Sequence, residues 1–222
     1  MPEVLFCIPG AVPIETIAAV NSAIAGLRAP RHAALHREHP VPADGANELE
    51  KGALKLVETL LGNGDFRRAT HPADVGGLRL RLYEAGIEGD DAVPALGGMR
   101  DDISVVVNLN DETEYEGGDV IVDMGGFENR WRGAKGDCIV YPADATRQVS
   151  MVKAGRRLLF TFEVQSYVRD ASRRQVLLDF SSVLSSLDER GSGKPAAVLL
   201  RRCHEDLLRH WAESGLPRRR EG

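Results

Sequence analysis

Cysteine is scarce in this chain. Cys7, Cys138 and Cys203 are the only three in 222 residues, they lie far apart, and they form no CxxC pair. That count excludes a disulfide framework and suits a reducing compartment. Long apolar runs are missing too: no stretch approaches the roughly 18 residues a membrane helix needs. The opening MPEVLFCIPGAVP has neither the basic start nor the apolar run of a signal peptide. There is no basic stripe. Net charge is -5, and the single cluster Arg218-Arg219-Arg220 reads as a solvated tail, so nothing points to nucleic acid. No GxSxG, P-loop or strand-linked GxGxxG signature occurs. The polar turns at Asp101-Asp102 and Asn110-Asp111-Glu112 lack the alternating oxygen ligands and turn glycine of a calcium loop. The expectation is a soluble cytoplasmic protein with no nucleic-acid or membrane partner, for which a homodimer is possible.

What is present is a strand-rich centre flanked by helices. Leu5 to Ile8 is a short strand ended by Pro9-Gly10. Pro13 opens a helix whose apolar stripe is Ile17, Val20, Ile24 and Leu27. Residues 31–45 are polar, broken by Pro40 and Pro42, and read as a loop. Asn47 with Glu50 offers a capping box, and Leu49, Ala53, Leu56 and Leu60 form the next stripe. Gly62-Asn63-Gly64 is expected to end that helix in left-handed backbone. Then come LRLRLYEAG, ISVVVNLND, GGDVIV, GDCIVYP and RRLLFTFEVQS, joined by turns rich in Gly and Asp. A further helix carries Val176, Leu177, Phe180, Val183 and Leu184, and a last one Leu200, Cys203, Leu207 and Trp211. There is no internal repeat and one domain is expected.

In RRLLFTFEVQS the period of two places Leu158, Phe160, Phe162 and Val164 on a face fit to pack against helices. The other face carries Arg157, Leu159, Thr161, Glu163 and Gln165. That face is either solvated or the polar interior of a barrel. In a barrel, Arg157 would be a buried guanidinium awaiting a carboxylate, which its planar fork pairs with bidentately. His32, His36 and His39 lie close together and read as a solvated loop, with the sharper alternative that one reaches a displaced metal. His71, His204 and His210 read as structural or surface residues, and mid-strand Cys138 as a buried inert thiol.

The blocks LYEAG, GGMRDDISVVVNLND, EYEGGDVIV, GDCIVYP, GRRLLFTFEVQSYVRD and LLRHWAE together resemble the bacterial PKHD-type hydroxylases. These are Fe(II)- and 2-oxoglutarate-dependent dioxygenases of the prolyl-4-hydroxylase group. The resemblance runs from about Leu5 to Trp211 and is densest from Tyr83 to Asp170. It implies an α+β fold with a double-stranded β-helix (jelly roll, cupin-like) at its centre. Within one domain over 1–222, residues 1–75 would be an N-terminal strand and supporting helices, 76–168 the jelly roll, and 169–222 the C-terminal helices. The resemblance also implies a metal site made of a His-x-Asp pair and a second His, with three positions open for 2-oxoglutarate and oxygen. An Arg about ten residues after the second His would hold the co-substrate's distal carboxylate.

This sequence departs from that pattern at the metal. In GIEGDDAV, Glu88 stands where the first His belongs and Asp90 where the Asp belongs. Arg147, five residues after Pro142, occupies the second His position. Arg157 matches the co-substrate Arg, and Glu163 replaces a family aromatic. A guanidinium only donates and cannot ligate a cation. The chain is therefore expected to be a degenerate member without metal or cofactor, in which Arg147 contacts Asp90 or Glu88. The expected function is an iron-independent enzyme doing acid–base chemistry on a small anionic substrate. Glu88, Asp90 and Glu163 are its candidate catalytic residues. Arg157, Arg147, Tyr83, Asn108, Tyr141 and Thr161 are its candidate ligand-binding residues. The alternatives are a non-catalytic sensor or partner subunit, and an active Fe(II)/2-oxoglutarate hydroxylase with substitute ligands. Only under the last would 2-oxoglutarate or Fe(II) be required.

Overall fold

β-Branched and apolar residues at alternate positions, interrupted by Gly and Pro, dictate short strands here, and the chain obliges. The computed structural model describes residues 5–25, 36–40, 48–92, 99–189 and 195–213, with the backbone alone at 25, 36–40, 87–92 and 189. In order the elements are Phe6–Ile8 (β1), Ile14–Ala25 (α1), His36–Pro40 (β2), Glu48–Gly62 (α2), Gly64–Thr70 (α3), Pro72–Glu84 (β3), Ile87–Ala92 (β4) and Ile103–Asn108 (β5). Tyr115–Gly117 (β6), Val120–Asp123 (β7), Glu128–Trp131 (β8), Cys138–Pro142 (β9), Thr146–Ser166 (β10), Ala171–Glu189 (α4) and Pro195–Trp211 (α5) follow.

β10 organises the molecule. Its first half pairs with β4, β6 and β7; its second half lies between β3 and β5, in the order β1-β9-β5-β10-β3-β2. The strand changes sheets at Gly155, whose φ is +75°, and where a Cβ would collide with the Glu114 carbonyl and with Tyr115. Only glycine fits both the backbone and the space. The result is a double-stranded β-helix: two sheets sharing one strand and enclosing an interior.

β5 and the second half of β10 bury two different faces. Ile103, Val105, Val107, Leu80, Phe160, Phe162 and Val164 pack outward against Ile17, Val20, Leu56, Leu60 and Phe66 of the helices. The opposite face meets the second sheet through Val106, Leu159, Ile139, Val120, Val122 and Val149. The polar face of β10 is thus barrel interior, not solvent. Arg157 and Thr161 are buried there.

Four local expectations fail. Within the stretch read as loop, residues 36–40 form β2, with His36 opposite Tyr83 and His39 opposite Leu80. Backbone pairing to an existing edge made that strand, not its own apolar pattern. Gly62-Asn63-Gly64 holds no left-handed residue. Asn63 instead starts a new helix, its side chain accepting from Asp65 N at 2.9 Å and Phe66 N at 3.1 Å; the left-handed cap falls later, on His71 with φ 44°. Val176 and Val183 are exposed, and α4 buries Arg174, Leu177, Ser181 and Leu184. Cys203 is exposed on α5. Leu27, Asn47 and the proposed capping box lie outside the described residues. No described helix is long and apolar enough to cross a membrane.

Candidate functional site

Arg157 is 0% exposed. The alternation of β10 turns it into the interior beside Tyr83, its register partner on β3. Its Nε donates to the Gly118 carbonyl at 3.2 Å and its Nη1 to Asn108 Oδ1. Its Nη2 is buried with no partner. The Tyr115 ring lies 4.5 Å from the guanidinium carbon, a cation–π contact, and the Tyr115 hydroxyl is likewise buried without a partner. Among the described residues no carboxylate forms an ion pair with Arg157. Burial pulls its pKa down to about 10, opposed by the field of Tyr115, so it remains a cation at neutral pH.

The wall around it is built to hold it. Asn108 accepts from Arg157 and donates to the Gly133 carbonyl, so both ends of its amide are used. Gly118, with φ +67°, approaches so closely that a Cβ would touch Arg157 Cγ and Cδ at 3.4 Å and Val152 at 3.2 Å.

A second polar group lies further along the same interior. Ser104 on β5 donates to Glu163 Oε2 at 2.6 Å, and both pair across the sheet with their neighbours, Glu163 opposite Ser104 and Ser104 opposite Tyr141. Burial raises the Glu163 carboxyl to about 7; the Ser104 hydrogen bond and Arg147 act against that rise, and Asp101 adds to it. Tyr141 is pushed up to about 12 by burial, with Arg147 opposing. Arg147 is 3% exposed and its Nη1 is buried without a partner. Between the two groups Arg81 Nε donates to Thr161 Oγ1 at 3.2 Å.

The structure therefore brings Arg157, Asn108 and Tyr83 together at one place and Glu163, Tyr141 and Arg147 at another. Asn108 and Thr161, expected as ligand contacts, hydrogen-bond Arg157 and Arg81 respectively and serve the wall. Of Glu88 and Asp90 only the backbone is described. It runs antiparallel to β10, with Gly89 opposite Val149 and Ala92 opposite Arg147; the expected contact of Arg147 with these carboxylates lies outside the described residues. Tyr115, Ser104 and Gly118 were not singled out by the sequence. The Glu116-Gly117-Gly118 turn beside Tyr115 was the one signal available. Cys138 is buried and its thiol pKa is raised well above the ordinary value by burial, as an inert thiol requires.

The residues present fit one of two groups. A carboxylate fits Arg157, because its free Nη2 and the Tyr115 hydroxyl are buried donors with nothing to bind. An iron ion does not fit the described residues. They hold no cluster of three His, Cys, Asp or Glu, and Arg147 has no lone pair to give.

No protein-family model matches the chain. It is 32% identical over 161 residues to a PKHD-type hydroxylase of Acaryochloris marina, covering 72% of this chain and 74% of that one. It is also 32% identical over 182 residues to a PKHD-type hydroxylase of a Caulobacter species, covering 78% and 80%. Among solved structures, a 2OG-Fe(II) oxygenase family oxidoreductase from Burkholderia pseudomallei superposes with a TM-score of 0.59 at 16% identity, covering 72% of this chain and 82% of that one. These likenesses overturn the expectation that no cofactor is involved: relatives named as hydroxylases, on a fold shared with Fe(II)/2-oxoglutarate oxygenases, point to iron and 2-oxoglutarate.

Proposed function

The chain belongs to the PKHD-type hydroxylase family, and on that footing we propose that its interior binds a small carboxylic acid of the 2-oxoglutarate kind on Arg157. One observation carries this reading: a fully buried guanidinium with an unpartnered Nη2, seated over the ring of Tyr115, whose hydroxyl is buried too. Leaving such a charge uncompensated costs several kcal/mol. A ligand carboxylate accepting from Arg157 Nη2 and Tyr115 Oη removes that cost and is held in a fixed plane.

The rest of the interior then acts on what the acid brings with it. Val106, Val120 and Leu159 exclude water, which strengthens each polar contact. Glu163, half protonated near pH 7, can give or take a proton at its Oε1, while Ser104 keeps Oε2 occupied. In this reading Arg147 replaces the family's distal metal ligand, the metal set is degenerate, and the enzyme's chemistry is proton transfer at Glu163. A second reading keeps the relatives' hydroxylation, with metal held through the segment of Glu88 and Asp90. The relatives' names and the retained Arg157 support it. Bound 2-oxoglutarate would there supply the electrons for oxygen activation.

Calorimetric titration with 2-oxoglutarate tests the proposal. The wild-type protein should bind it, and Arg157→Gln should weaken binding about 30-fold or more, the worth of a charged hydrogen-bonded pair. Unchanged affinity in Arg157→Gln refutes the assignment. Iron at one equivalent per chain, abolished by Asp90→Ala, decides for the second reading.

A further inference from the structure

Arg147, like Arg157, is a buried guanidinium with an unpartnered nitrogen. Arg147 lies two residues before Val149 and opposite Val122, both of which line the space between the sheets. Alternation therefore turns Arg147 into the same interior. Among the described residues it makes no ion pair and no hydrogen bond, and its Nη1 is sealed from solvent. The interior face of β5 gives the separation of the two charged places. Asn108 holds Arg157 and Ser104 holds Glu163, the acid beside Arg147. Ser104 and Asn108 are four steps of extended strand apart, about 13 Å, and the interior side chain between them, Val106, is apolar. Two cationic ends separated by an apolar strip complement a short diacid in charge and in layout.

We propose that Arg147 is the second anchor of this site, so that the ligand is a short dicarboxylate with one end on Arg157 and the other on Arg147. This rests on the reading that Arg157 holds a carboxylate. Arginine suits both ends because its fork offers parallel donors to the two oxygens of each carboxylate. The side chain at the family's distal metal-ligand position thus takes over the contact to the acid's far end. Glu163 and Tyr141 border that end and discriminate what is attached to it.

Calorimetry with 2-oxoglutarate, glutarate and butyrate, in EDTA-treated buffer and again with Mn(II), tests this. Wild-type protein should bind both diacids about 30-fold tighter than butyrate, as one added charged pair implies, and should do so in EDTA. Arg147→Gln should bring the diacids to the butyrate level; Arg147→Lys should restore part of the preference. Equal binding of glutarate and butyrate by the wild-type protein overturns the proposal whether or not the variants fold. So does a diacid preference that survives in Arg147→Gln, or one that exists only with Mn(II). If Arg157→Gln keeps diacid binding, the underlying reading fails as well; if Arg147→Gln alone is silent, only the second anchor is lost.

Discussion

Gly118 does two things at one position. Its positive φ lets the chain turn after β6, and its missing side chain lets the Arg157 stem lie against the backbone. Gly118→Ala puts a Cβ on left-handed backbone, costing about 1–2 kcal/mol, and pushes on Arg157 and Val152. The expected result is a lower melting temperature together with weaker acid binding, both read on one sample by thermal shift with and without 2-oxoglutarate. A variant that melts lower but binds as tightly would show that the close approach does not position Arg157. At this scale the sequence was informative where chemistry is unusual: an arginine at an alternating position in an apolar strand announces itself. It was silent on Tyr115 and Ser104, common residue types whose roles depend on which strand lies across from them. Register, not composition, supplies that information.

The strands were legible and their neighbours less so. β5 and the second half of β10 alternate cleanly, and both faces came out as the alternation requires. β2 has two histidines, an arginine, a glutamate and a proline, and no periodicity could have found it. Gly62-Asn63-Gly64 shows a different ambiguity. Asparagine serves equally as a left-handed helix stop and as an N-cap, and the apolar contact of Phe66 in the helix-side core decided for the cap. Asn63→Ala removes two hydrogen bonds to Asp65 N and Phe66 N. It should cost about 1 kcal/mol in denaturant unfolding. An unchanged unfolding midpoint would mean that packing of Phe66 alone holds α3.

Across the whole molecule, two half-buried groups tilt stability with pH in opposite directions. Glu163 ionises at about 7 when folded, against an ordinary 4.5. Between those values the folded chain keeps a proton the unfolded chain has released, so stability falls as pH rises, by about 3 kcal/mol at most. His71 titrates at about 4 when folded, against 6.5, through burial and the nearby His204 and Arg174. There the unfolded chain takes up a proton the folded chain refuses, so stability falls as pH drops below 6.5, by a similar amount. The two slopes offset each other from about pH 4.5 to 6.5. Calorimetric melting should find the wild-type profile nearly flat in that window. Glu163→Gln should make stability climb with pH, and His71→Asn, which tolerates the positive φ, should make it decline. Parallel profiles for all three proteins would rule this out.

The single strand shared by both sheets also bears on how the protein is made. β3 to β7, which pair with β10, all leave the ribosome before it does, and none of them can complete its sheet until residues 146–166 arrive. A nascent chain halted short of Ser166 has open edges on two sheets at once, a state that invites chaperone capture. Arg147, Arg157 and Glu163 all ride on that closing strand, so the proposed acid site would come into being in the same event that seals the barrel.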